Sequence, residues 1–403
     1  PFVTEPSIDD DQDYQIAASS FDTILTTLIS DLEIVKDDAV KKYADETCNT
    51  GRITRYSIYA ILADMYLWKQ DYDNCIKYCD LVIDYKTEAY EENKSTNGNK
   101  VKLYGIYPLI NEQAGGNFSG FAYGEIFGTG DSFESVFELH FKDNQAVTNS
   151  FVQNFYGSSS INIGYFSAAD FLYKDIMTDE NVVFTKTDCR YLESMEEASG
   201  MYAIDKYTRL SVSFTSSTST STTAPEVSSV RRSTNYANWI IYRLTDVMLM
   251  KAEAEVEKAG EVDANTVDSE QEACYRSAFS LVSAVYNRAN NLSSTSSDTL
   301  IYTDYAISRT TMEELVLLER QRELLFEGKR WFDLVRLARR EGSNTRLINH
   351  AINKYSENQS AIRKKLNSPY TLYFPYNEGE LTVNPYLTQN PAYNTESSSS
   401  ISE

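Results

Sequence analysis

Apolar side chains recur every three to four residues over the first ninety or so positions and again beyond residue 240, and that rhythm is lost in between. Ile24, Leu25, Leu28, Leu32 and Val35 mark a helical stripe within Asp13–Ala44. Ile58, Ile61, Leu62, Met65 and Tyr66 mark a second helix, and Cys75, Ile76, Cys79, Val82 and Ile83 a third. The connection Lys69-Gln70-Asp71-Tyr72-Asp73 is short enough to force the last two into an antiparallel pair. Asp71 or Asp73 is placed to cap the third helix.

This pair follows the tetratricopeptide pattern. Leu62-Ala63 and Tyr66 stand at the Leu-small and Tyr positions of a first repeat helix, and Cys75, Cys79 and Val82 at the core positions of a second. Thiols fit there as small hydrophobes where two helices approach closely. Cys75 and Cys79 therefore read as packing residues; a metal site would need more clustered donors.

Residues 91–238 differ. Gly, Asn, Ser and aromatic residues crowd together, Ser135 to Phe141 alternates like a strand, and Thr215 to Thr223 is nearly pure Ser and Thr, as in a mobile loop. Helical rhythm resumes at Ile240, and 239–340 reads as further helix pairs: Leu244, Val247, Met248 and Met250 lead one helix, and Leu281, Val282 and Val285 stripe the next. Leu315, Leu318, Leu325 and Phe326 then precede Trp331, Leu334 and Val335, with Gly328 at the junction as a C-cap. Trp239 and Trp331 both read as packed residues. Residues 341–403 read as an irregular segment with a Ser-rich tail. The chain is thus expected to be mainly α, a single domain (1–403) of repeat-like helix pairs over 13–90 and 239–340 that carry a large loop-rich insertion with a few short strands.

Charge narrows the partners. With 37 Lys and Arg against 59 Asp and Glu, the formal net charge is −22, which repels nucleic acid and polyanions and leaves neutral ligands open. Tyrosine is abundant, at 30 residues against 3 Trp, and suits adaptable binding surfaces, although most such rings serve packing. No stretch approaches the ~18 apolar residues of a membrane span. The five cysteines lack framework spacing and do not settle the redox compartment. No nucleophile elbow, zinc-protease helix, phosphate loop or dinucleotide motif is present, and His140 and His350 stand alone. No enzyme activity, cofactor or metal site is expected.

The densest charged stretch, Glu319-Arg320-Gln321-Arg322-Glu323 through Glu327, Arg330, Asp333 and Arg336, alternates sign at helical spacing and reads as a salt-bridged structural element. The same stretch, Glu319-Arg-x-Arg-Glu-Leu-x-Phe-Glu-Gly-x-Arg-Trp-Phe-Asp-Leu-Val-Arg336, resembles the signature of the SusD/RagB family of Bacteroidota. Arg243 to Ala254 resembles its central repeat helix, Asp188-Cys-Arg190 with Lys206-Tyr207 its middle strands and loops, and Phe374-Pro375 with Asn384 to Tyr393 its closing segment. The resemblance implies a TPR-like scaffold on a lipid-anchored protein of the outer membrane's extracellular face. It also implies oligosaccharide capture and delivery to a SusC-like TonB-dependent transporter, or peptide capture in some branches. Lys329 stands where many relatives carry His, and Pro1 to Pro6 resembles an internal segment of such proteins, so the lipid-bearing Cys and early helices are expected to lie outside this sequence.

A neutral sugar packs its C–H faces on aromatic rings and bonds its hydroxyls at the ring edges. Tyr104, Tyr107, Asn111, Phe118, Phe121, Tyr123 and Phe127, interleaved with further amides, offer that mixture and are the expected ligand contacts. The function expected is glycan binding; a peptide-binding relative is the alternative, and a protein–protein scaffold or a glycoside hydrolase ranks below both.

Overall fold

The computed structural model describes residues 2–6, 8, 14–45, 47–95, 100–113, 118–143, 147–157, 164–178, 180–198, 200–215, 225–261, 269–290 and 299–394. The Ser/Thr tract from 216 onward lies outside them, as does the tail after 394. The chain forms two compact units, one of residues 34–330 and one of residues 1–33 with 331–403.

The larger unit is built on five long helices, Arg55–Lys69, Tyr72–Asn93, Leu244–Ala259, Ser269–Ala289 and Arg309–Glu323. Thr54 opens the first through a reciprocal capping box with Ser57. Asp71, rather than Asp73, caps the second by accepting the Asn74 N–H at 3.2 Å. Gln70 takes the left-handed conformation between them, so the chain reverses within three residues. Leu62, Ala63, Cys75, Cys79 and Val82 are all fully buried, as the repeat pattern requires. The Tyr72–Asn93 helix packs on Leu244–Ala259, which packs on Ser269–Ala289, and Arg309–Glu323 lies across the last two. Leu244–Ala259 is the centre: Val247, Met248, Leu249 and Met250 are buried, and so are Asp246, Glu253, Glu255 and Glu257.

Among the described residues there are four small antiparallel sheets, including the hairpins Val101–Tyr104 with Tyr107–Ile110 and Met195–Ala198 with Met201–Ile204. The insertion's own core gathers Tyr123, Phe127, Phe184, Tyr207, Val212, Phe214 and Ile240. The alternation from Ser135 does form a strand, Ser135–Leu139, which pairs through a bulge with Trp239–Arg243. Helix therefore begins at Leu244, not at Ile240: the five residues before it are held by the partner strand. Trp239 packs as expected, stacked on Tyr207 at 5.0 Å.

The smaller unit holds the helices Phe21–Val35 (to Glu33), Arg330–Glu341 (from Trp331), Thr345–Ile352, Gln359–Leu366 and Glu378–Val383. The helical stripe read over Asp13–Ala44 is thus helical only from Phe21 to Val35, while the segment after 341 is more helical than its composition suggests. Arg339 lies over the Phe21 ring at 4.1 Å and donates to the Tyr373 hydroxyl at 3.0 Å. Asn384 donates to the Ile16 carbonyl at 2.9 Å and so ties the two ends of this unit together. Trp331 is 41% exposed rather than core, because the buried stripe of its helix starts at Asp333 and Leu334.

Candidate functional site

The charged stretch from Glu319 to Arg330 lies along the inner side of the insertion. Glu319 and Glu323 share a helical face, and Glu327 follows after a turn in which Phe326 and Gly328 both take positive φ. Arg190, on a short helix of the insertion, bonds Glu319 at 2.7 Å, Glu323 at 2.8 Å and Asp188 at 2.7 Å. Arg243, at the end of its strand, meets Glu323 at 2.5 Å and Glu327 at 2.7 Å. Arg288 joins Glu134 at 2.7 Å and also bonds Glu323, and Lys206 reaches Glu327 at 2.7 Å. Every one of these side chains is buried. Burial alone opposes ionisation of Glu323, yet Arg288, Arg243 and Arg190 hold its carboxyl well below the usual carboxylate range. The stretch is therefore a structural lattice, as its sign alternation implied. Lys329 pairs with buried Asp246 at 3.0 Å and donates to the Ile241 carbonyl at 2.7 Å.

The rings expected to meet ligand are mostly spent inside this assembly. Tyr107, Tyr123 and Phe127 are 7%, 2% and 7% exposed. The Tyr123 hydroxyl donates to the Asp205 carbonyl at 2.9 Å, and Phe127 sits edge-on to Tyr207 beneath the Lys206 ammonium, 4.7 Å away. Phe121 is half-buried against the same core. The half-buried Tyr104 donates to Asn111 Oδ1 at 3.2 Å, and Asn111 in turn orders Gln113. Phe118 pairs through its backbone with Thr215, and its side chain lies outside the described residues.

Open aromatic surface occurs elsewhere in the insertion. Tyr173 and Tyr202 stack at 3.4 Å beside a cleft of about 350 Å³. Tyr191, Ile176, Met177, Leu192 and Met195 supply further apolar wall, and Asp175, Glu196, Glu197 and Arg209 supply polar groups. The backbone explains the meeting: Ser167 bridges to Ala203, and the Ala168 N–H donates to the Tyr202 carbonyl at 2.9 Å, which brings Tyr173 against the hairpin. Burial works against the Glu196 charge, but Arg209 and Arg231 keep its pKa below the usual value. Arg209 bonds it at 2.7 Å. A cleft of this size with aromatic walls and fixed polar groups can hold one or two sugar rings or a short peptide segment. A second group, Phe151, Phe155, Tyr165 and Phe166, forms a row on the surface, with Tyr165 83% exposed. Sequence reasoning missed both groups, since no local motif marks Tyr173, Tyr202 or Tyr165. Among the described residues no helix is long and apolar enough to cross a membrane.

The profile described as the SusD family matches residues 144–393. Among solved structures, a SusD superfamily protein from Bacteroides vulgatus superposes with a TM-score of 0.60 at 18% identity, over 94% of this chain and 70% of that one. Surface glycan-binding protein A from Bacteroides uniformis gives 0.53 at 18% identity, over 92% and 69%. A laminarin-binding SusD-like protein gives 0.54 at 16% identity, over 92% and 69%. No curated protein matches the chain. The profile match takes in the lattice residues Arg190, Lys206, Arg243, Arg288, Glu319, Glu323 and Glu327, and the superpositions carry the same mainly helical fold across nearly all of the chain: it belongs to the SusD family.

Proposed function

We propose that this chain is a glycan-binding protein of the outer cell surface, which captures a neutral oligosaccharide without making or breaking a covalent bond and passes it to a TonB-dependent transporter. The observation that carries the reading is the cleft at the Tyr173–Tyr202 stack, where ring faces, carboxylates and a guanidinium converge on a space of about 350 Å³. Sugars need this combination, apolar faces to cover their C–H surfaces and fixed acceptors for their hydroxyls. The net charge of −22 favours a neutral glycan over an acidic one. Two similar structures support the ligand class, one a surface glycan-binding protein and one laminarin-binding. In this reading the 104–127 segment shapes and supports the insertion, while Tyr173 and Tyr202 provide the platform.

Native affinity electrophoresis against a panel of plant, host and microbial polysaccharides tests it. Retardation by a neutral polymer whose length stays unchanged is expected, together with co-purification of a TonB-dependent transporter from the native cell. If Tyr173→Ala and Tyr202→Ala leave retardation intact while Tyr165→Ala and Phe166→Ala abolish it, the platform is the surface row instead. Retardation by no polymer, with calorimetric binding of peptides, overturns the glycan reading.

A further inference from the structure

The buried lattice has one place where its charges do not balance. Asp188, Glu134, Glu319, Glu323 and Glu327 each meet an arginine or lysine. Glu112 and Glu193 do not pair with a cation among the described residues, although only 2% and 6% of each is exposed. One Glu112 oxygen accepts the Gly120 N–H, and Glu193 Oε1 is enclosed without a hydrogen-bond partner. Cys189 is wholly buried beside them, and one ligand atom from each of the three lies within 4.8 Å of the others. All three line an internal cavity of about 20 Å³, room for a single water-sized particle. Cys189 and Glu193 are four residues apart where the Arg190–Ser194 helix begins, so they share a face, and Glu112 approaches from the loop after the Tyr107–Ile110 strand.

Two carboxylates enclosed together require something positive between them. A shared proton meets that need, but a thiol at the same point completes a different donor set. One sulfur and two carboxylate oxygens around a water-sized space is ligation that suits zinc. We propose that Glu112, Glu193 and Cys189 form a buried zinc site that pins the 111–113 loop to the Arg190 helix. Arg190, Lys206, Arg243 and Arg288 also border the cavity, but each is paired to a lattice carboxylate. Binding exchanges two protons, the thiol's and the one the carboxyls share, for one dication, so the buried volume keeps its net charge.

The test uses the full chain produced in medium supplemented with zinc or cobalt, because an enclosed site fills during folding. One zinc per chain is expected by elemental analysis. The cobalt form is expected to show thiolate-to-cobalt charge-transfer absorption in the near ultraviolet. Cys189→Ala should abolish the absorption, and Cys48→Ser, at the half-buried thiol elsewhere, should leave it. Glu193→Gln, which keeps a hydrogen bond to Glu112, should lose the metal while remaining folded. Wild-type protein without the absorption and without stoichiometric zinc overturns the site in favour of a shared proton. So does metal retained unchanged in Cys189→Ala and Glu193→Gln.

Discussion

The insertion treats its two sides differently. Toward the helices it presents Arg190 and Lys206, each paired with buried carboxylates of the family signature at 2.7–2.8 Å. Around the cleft it presents stacked tyrosines with carboxylates and a guanidinium among them. The lattice side is directional. A bonded network of charges has one satisfied arrangement, and any other leaves ions stranded, so it fixes where the loops sit. The cleft side is adaptable, since a ring face accepts many apolar surfaces and a rim of acceptors tolerates several hydroxyl patterns.

The largest effect is expected at the lattice. Glu323→Ala takes one carboxylate partner from each of Arg190, Arg243 and Arg288 and should cost about 3–5 kcal/mol, read as a lowered urea midpoint. A midpoint near that of the wild type would break the contrast drawn between the two sides. Acid should act in the same direction. The pKa values of Glu323 and Glu327 are held down, by arginines in both cases and by Lys206 for Glu327. The stability they contribute is fully present above the unfolded value of about 4.3 and is lost as pH falls through their folded values. Glu138, raised by burial, has the opposite sign and gains as pH falls. Wild-type protein should therefore lose stability below about pH 4, and Glu323→Gln should show a flatter acid limb, by thermal melts across the pH range. At the cleft, Tyr202→Ala should weaken glycan binding about tenfold with less than ~1 kcal/mol of lost stability, measured by calorimetry and melts. Smallest of all, Tyr104→Phe removes the hydrogen bond to Asn111, which should cost about 1 kcal/mol and leave affinity unchanged. A loss of affinity there would return Tyr104 to the ligand contacts.

Helical rhythm, the small residues at Ala63, Cys75 and Cys79, and the sign alternation from Glu319 to Glu327 are local properties, and each is legible in the sequence. They were enough for the fold class, the repeat-like pairing and the structural meaning of the signature. In 104–127, rings interleaved with amides have the same composition whether they face solvent or core. Only the packing of Tyr123 and Phe127 against Tyr207 and Lys206 settled which. The strand Trp239–Arg243 escaped for a related reason: five apolar-rich residues before a helix look like its first turn until a partner strand claims them. Tyr173 meets Tyr202, and Glu112 meets Glu193, through turns and bridges that no spacing announces. The sequence by itself determined what repeats along the chain, because helix geometry is periodic and its neighbours are local. Which rings and carboxylates face one another was decided only by tertiary structure, because those encounters depend on long-range closure of irregular loops with no period to read.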